Sequence, residues 1–141
     1  MHKVFVFGTL KEGFPNFRIN KGSRFGHLFQ TKQSFPLYLI GERHSPWLVL
    51  QPGQGHPVKG QVFTVTDEAL SAMDKLERIT AEDGYRRISL DVECVETGET
   101  LTVYAYGKPP EMLIDADVRA QLTDEYCLSH AALYRSRYAS S

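Results

Sequence analysis

Two places in this chain combine residue types and spacing that can do chemistry. One is Glu77, a carboxylate on what should be the apolar stripe of a helix. At about 100° per residue, Ala69, Leu70, Met73 and Leu76 share one arc. Glu77 falls seven residues after Leu70 and four after Met73, inside that arc, with Asp74 at its edge. Burial disfavours the charged form of a carboxyl group and moves its pKa toward the range of a general acid or base. The structural alternative is a Glu at a helix end paired with Arg78, Arg86 or Arg87. The other place is the run Val4-Phe5-Val6-Phe7-Gly8-Thr9-Leu10-Lys11-Glu12-Gly13. There a strand-forming segment stops on a glycine. Amides freed past the strand end have no ladder partner and can bind a small anion or a developing oxyanion. The alternative is an ordinary turn after a strand.

The elements that must position these residues follow from hydrophobic period and turn chemistry. Residues 3–7 predict a short buried strand. Residues 12–22 are turn-rich, around Gly13, Pro15 and Asn16. Residues 25–40 are strand-like but interrupted at Pro36. An apolar run at 46–50 precedes a loop at 51–57, and 58–65 alternate as a strand. Thr66 is a suitable N-cap, with Asp67 and Glu68 where the helix dipole favours acids, for a helix running to about Arg78. Residues 85–94 and 100–106 predict a hairpin across Glu96-Thr97-Gly98-Glu99. Residues 115–127 predict a second helix, and the tail through Tyr134 and Tyr138 shows no clear period. Many strands with one or two helices make an α+β domain, with a curled sheet or small barrel in place of regular βαβ crossovers.

Length and composition set limits. The 141 residues predict one domain over 1–141, and 42% hydrophobic residues are enough to form a core. A net charge of −1 implies neither nucleic acid nor an anionic membrane as partner. No apolar run approaches the ~20 residues of a membrane span, and Met1-His2-Lys3-Val4 enters strand pattern with no signal-peptide core. Cys94 and Cys127 read as free thiols, which suits a cytoplasmic location. The five histidines show no metal-ligand spacing. His44 and His56 read as loop residues, and Glu82 and Asp83 as solvated ones.

Several segments together resemble the γ-glutamylcyclotransferase-like family. Phe7-Gly8-Thr9-Leu10 is similar to its Tyr-Gly-Ser/Thr-Leu signature. The likeness continues through Phe35-Pro36-Leu37, Gly41-Glu42, Pro46-Trp47-Leu48, Pro52-Gly53-Gln54-Gly55 and Val58-Lys59-Gly60-Gln61-Val62-Phe63. It also takes in Met73-Asp74-Lys75-Leu76-Glu77, Tyr85-Arg86-Arg87 and Val103-Tyr104-Ala105-Tyr106, and so covers most of residues 3–106. It is greatest to the γ-glutamylaminecyclotransferase branch. Phe7 departs from the family's usual Tyr, which removes one hydroxyl and bears on substrate preference.

The resemblance implies a small mixed β-barrel with flanking helices. It implies release of 5-oxoproline and a free amine from γ-glutamyl amines such as γ-glutamyl-ε-lysine, or from another γ-glutamyl compound. A non-catalytic binding protein with the same fold is the other alternative. The implied reaction is attack of the substrate's own α-amine on its γ-carbonyl, so no cofactor, metal or protein nucleophile is expected. Glu77 would be the general acid/base, and Phe7, Gly8, Thr9 and Leu10 would bind substrate. Trp47, Tyr85 and Tyr106 would either line the pocket or pack as ordinary aromatics. The expected partner is a small-molecule γ-glutamyl substrate. The sequence leaves the oligomeric state open, a monomer being slightly favoured.

Overall fold

A computed structural model describes residues 1–135 of the chain. Tyr138, in the tail discussed above, lies outside them. Among the described residues, eight strands form two sheets. They are β1 (His2–Val6), β2 (Ser23–Phe35), β3 (Leu37–Ile40), β4 (Ser45–Leu48), β5 (His56–Val65), β6 (Arg86–Cys94), β7 (Thr100–Gly107) and β8 (Val118–Leu122). The helices are α1 (Asp67–Glu77) and the single turn α2 (Leu128–Ala131), with 3₁₀ turns at Phe17–Ile19 and Pro110–Leu113.

Five strands close a barrel in the order β1-β5-β2-β6-β7. Its neighbours are antiparallel except where β1 meets β7 in parallel, at Val4 and Tyr104. The barrel is therefore mixed, as the family resemblance implies. β1 shows why its apolar residues run without a break: both faces are buried. Phe5 packs in the cluster with Phe29, Val58, Val62, Val92 and Val103. Val4 and Val6 pack on the other side beneath Ala69, Leu70 and Met73 of α1. Side chains alternate across a strand, so one residue of slippage would exchange these two sets.

α1 begins as expected. The Thr66 hydroxyl accepts from the Ala69 amide at 3.1 Å. The helix ends on Arg78, whose left-handed backbone (φ 54°, ψ 48°) turns its amide onto the carbonyls of Asp74 and Lys75. The chain then folds back so closely that a Cβ at Gly84 would lie 1.8 Å from the Arg78 carbonyl oxygen. No side chain fits there, and this tight return brings the Tyr85 amide onto the Glu77 carbonyl at 2.9 Å.

The second sheet, β4-β3-β8, corrects the expectation of a helix over 115–127. Residues 118–122 pair antiparallel with β3, Leu37 opposite Leu122 and Leu39 opposite Ala120. Ala120 and Leu122 alternate toward the core, and Leu122 is buried. Arg119, Ala120 and Gln121 favour helix locally, but pairing to an otherwise open edge of β3 outweighs that preference. Pro36 separates β2 from β3, as its position predicts. His56 opens β5 opposite Phe35 and is not a loop residue. No helix among the described residues is long and apolar enough to cross a membrane.

Candidate functional site

A cavity of about 980 Å³ lies where β1, α1 and β7 end and the turn between β3 and β4 comes over them. Phe7, Gly8, Thr9, Leu10, Trp47, Glu77, Tyr85 and Tyr106 all line it. The structure therefore gathers into one place the residues singled out from the sequence.

The strand-end turn is held from outside the ladder. The Lys11 amide donates to the Gly8 carbonyl at 3.1 Å, and the Asn16 amide to the Thr9 carbonyl at 2.8 Å. The buried Asn16 side chain donates to Thr9 Oγ1 at 2.9 Å and to the Tyr134 hydroxyl at 3.2 Å. Asn20 donates to the Leu10 carbonyl at 3.0 Å. Carbonyls are thus satisfied, while the amides of Gly8, Thr9 and Leu10 have no acceptor among the described residues. Successive unpaired N–H groups in a turn form an anion-binding element. Thr9 Oγ1 already accepts a hydrogen bond, so its own proton remains available as a further donor. Gly8 sits against Pro46: a Cβ there would come within 2.8 Å of Pro46 Cγ.

Glu77 closes α1 with its side chain at the cavity. Burial raises its pKa from 4.5 to about 7, with the Lys108 ammonium acting in the opposite direction. None of the three arginines near it in sequence forms an ion pair with it among the described residues. Arg78 Nη2 meets Asp83 Oδ1 at 3.1 Å, Arg87 Nη1 meets Asp74 Oδ2 at 2.6 Å, and Arg86 donates to carbonyls of the 81–85 turn. The reading of Glu77 as a helix-end carboxylate paired with a neighbouring Arg therefore finds no support. A carboxyl poised near neutral pH can take up and give back a proton under ordinary conditions.

Two tyrosines face the same space as fixed hydroxyls. Tyr85 donates to the Pro46 carbonyl at 2.6 Å. Burial, and after it the charge of Glu77, raises its pKa well above the usual value. Tyr106 donates to Asp74 Oδ1 at 2.6 Å; burial first, then that hydrogen bond, raises its pKa as well. Asp74 thus joins β7 to β6 through Tyr106 and Arg87. Removing the carboxylate in Asp74→Ala leaves a buried hydroxyl and a guanidinium without their acceptor. The expected loss is about 1–3 kcal/mol, read from urea denaturation at pH 7, and Asp74→Asn is expected to lose less.

Several lining residues carry no clear signal in the sequence. Lys108, 5% exposed, extends from the end of β7; its Nζ donates to the Asp83 carbonyl at 2.5 Å. The same Nζ lies 4.6 Å from the Trp47 ring centroid and 4.4 Å from that of Tyr85. The faces of these two aromatics, expected as pocket walls, are thus partly taken up by a cation. Asp83 is largely exposed at its side chain, yet it binds Arg78 through its carboxylate and Lys108 through its carbonyl. Asn16 has a local signal in the turn Gly13-Phe14-Pro15-Asn16, whereas Arg43 and Tyr134 reach the cavity through long-range folding alone. No group of His, Cys, Asp and Glu among the described residues is arranged to hold a metal ion, and Cys94 and Cys127 are free thiols.

The family model described as gamma-glutamyl cyclotransferase, AIG2-like, matches residues 4–128. The chain belongs to this family. Gamma-glutamylaminecyclotransferase from Rattus norvegicus is 37% identical over 118 residues, 76% of this chain and 78% of the rat protein. The Mus musculus protein of the same name is 37% identical over 101 residues, covering 68% of this chain and 66% of its own length. The match to the human protein covers 65% of that protein, so the chain spans about two thirds of the mouse and human relatives. Among solved structures, the crystal structure of an AIG2-like protein from Mus musculus superposes with a TM-score of 0.80 at 29% identity, over 99% of both chains. A structure named gamma-glutamyl cyclotransferase shares the fold at a TM-score of 0.58 and 16% identity.

Proposed function

We propose that the protein converts γ-glutamyl amines into 5-oxoproline and a free amine, with Glu77 carrying the protons. One observation carries this reading. A carboxyl with a pKa of about 7 and a turn of unpaired amides line the same cavity, in a chain of this family.

The chemistry follows from those two elements. The substrate's α-carboxylate binds at the amides of Gly8, Thr9 and Leu10, which bends the glutamyl chain so that its α-nitrogen approaches its own γ-carbon. Such orientation can supply about 7–11 kcal/mol. Ionised Glu77 takes the proton from the α-ammonium. The nitrogen lone pair forms the new C–N bond, and the γ-carbonyl oxygen becomes an oxyanion. As the tetrahedral centre collapses, the bond to the leaving nitrogen breaks. Glu77 returns its proton to that nitrogen, and the second proton of the attacking nitrogen passes to the departing amine. 5-Oxoproline and the ammonium form of the amine leave with Glu77 ionised again. One carboxyl thus serves as base and then acid, which needs a pKa near the working pH.

The rodent and human relatives are named gamma-glutamylaminecyclotransferase, which supports an amine leaving group; γ-glutamyl-ε-lysine is the example that the family resemblance implies. A panel of γ-glutamyl-ε-lysine, γ-glutamyl alkylamines and γ-glutamyl α-amino acids, scored by 5-oxoproline release, tests it. The γ-glutamyl amines are expected to turn over fastest. Preference for γ-glutamyl α-amino acids would move the assignment to another γ-glutamyl compound. A panel without turnover, combined with a rise in melting temperature on adding 5-oxoproline, would make the protein a binder.

A further inference from the structure

Lys108 is a buried cation that the reaction above does not use. It follows Gly107 at the end of β7, and its backbone is fixed on both sides. Its amide donates to the Leu48 carbonyl at 2.8 Å, and its carbonyl accepts from the Leu50 amide at 2.9 Å. Its ammonium lies against the faces of Trp47 and Tyr85 and bonds to the Asp83 carbonyl. Cation–π contact strengthens when the cation is desolvated, as it is here. All four residues line the cavity that Glu77 lines. Tyr85 lies between them in the chain's folding: its ring is 4.4 Å from Lys108 Nζ, and its amide bonds to the backbone carbonyl of Glu77.

We propose that Lys108 is a positioning residue of this site, clamped by Trp47, Tyr85 and Asp83 so that its charge favours the ionised form of Glu77 that accepts the substrate's α-amino proton. The proposal rests on the reading of Glu77 as proton carrier. The other groups around Glu77 do not supply this charge. Tyr85 and Tyr106 are neutral phenols held by Pro46 and Asp74. On α1 itself, Asp74 is paired with Arg87, and Arg78 is turned to Asp83. Arg43, from the turn after β3, acts on Tyr85, and the remaining charged residues of the cavity lining, Glu42, Glu82 and Asp115, are acids that cannot supply a positive charge. Lys108 is the charge that counters the effect of burial on Glu77. A carboxyl that burial alone controlled would stay protonated further above neutral pH and could not accept that proton there.

The test uses Lys108→Met and Lys108→Gln, which remove the charge, and Lys108→Arg, which keeps it. Two readouts are taken: the pH dependence of kcat/KM for 5-oxoproline release, and the ¹³C carboxyl titration of Glu77. The neutral variants are expected to move the rising limb of the profile and the Glu77 midpoint to higher pH together. A displacement of about one pH unit lowers the rate at pH 7 about fivefold and leaves it nearly intact at pH 9. Lys108→Arg should restore both. A Glu77 midpoint that does not move in the folded neutral variants overturns the proposal. So does a rise in KM equal at every pH, which would make Lys108 a substrate contact. The titration needs no turnover, so it separates failure of this inference from failure of the proposed reaction.

Discussion

Glu77→Gln is expected to fold, to gain stability above neutral pH, and to lose 5-oxoproline release by about 10²- to 10⁴-fold, the usual contribution of a general acid/base. The stability effect has a definite sign. Folding raises the Glu77 pKa from 4.5 to about 7, so the folded state binds this proton more tightly than the unfolded chain. Stability is then fully present below about pH 4.5 and falls as pH rises toward 7. Above that window the ionised carboxylate costs the fold about 3 kcal/mol. Gln keeps the shape and cannot ionise. The melting temperature of the variant should therefore match wild type near pH 4 and exceed it at pH 8, while activity is lost at every pH. A stabilising change that removes activity is characteristic of a residue retained for chemistry. A melting temperature that drops equally at both pH values would make Glu77 a structural carboxylate instead.

Gly8→Ala is the second large effect. A Cβ at this position would lie 2.8 Å from Pro46 Cγ and 3.4 Å from Pro46 Cβ. Pro46 cannot retreat freely, because its carbonyl accepts the Tyr85 hydroxyl and it pairs with Leu39 across the second sheet. The turn must yield instead, and with it the amides of Gly8, Thr9 and Leu10. Misplacing binding groups by about 1 Å can cost roughly 10²-fold in rate. Overpacking at such a contact destabilises by about 1–3 kcal/mol. The expected result is a kcat/KM for γ-glutamyl-ε-lysine reduced about 10²-fold, with a modest loss in urea stability. Full activity in a folded Gly8→Ala protein would remove the turn from the substrate-binding role.

The parts of the site written in local pattern were legible before the fold. Glu77 shows itself because helical period places it on the face of Leu70 and Met73, which are buried. The turn after β1 shows itself because Val4 to Phe7 is strand-forming and Gly8 is not. What was illegible depends on pairings distant in sequence. Lys108 reaches the site because it bridges Val49 in parallel and lies against Trp47, and nothing near it in sequence marks that. Tyr134 arrives through Asn16, 118 positions away. Residues 118–122 are the clearest case, since their propensities favour a helix and only the open edge of β3 makes them a strand. Phe7 lies 6% exposed, packed with the barrel interior and touching the cavity. An apolar ring suits that interior.

The most direct test of the central claim is product analysis of purified protein incubated with γ-glutamyl-ε-lysine, quantifying 5-oxoproline, glutamate and lysine together, for wild type and Glu77→Gln. Intramolecular attack assisted by Glu77 predicts 5-oxoproline and lysine in equal amounts from wild type, no glutamate, and neither product above background from the variant. Glutamate in place of 5-oxoproline, or undiminished 5-oxoproline from Glu77→Gln, would contradict it.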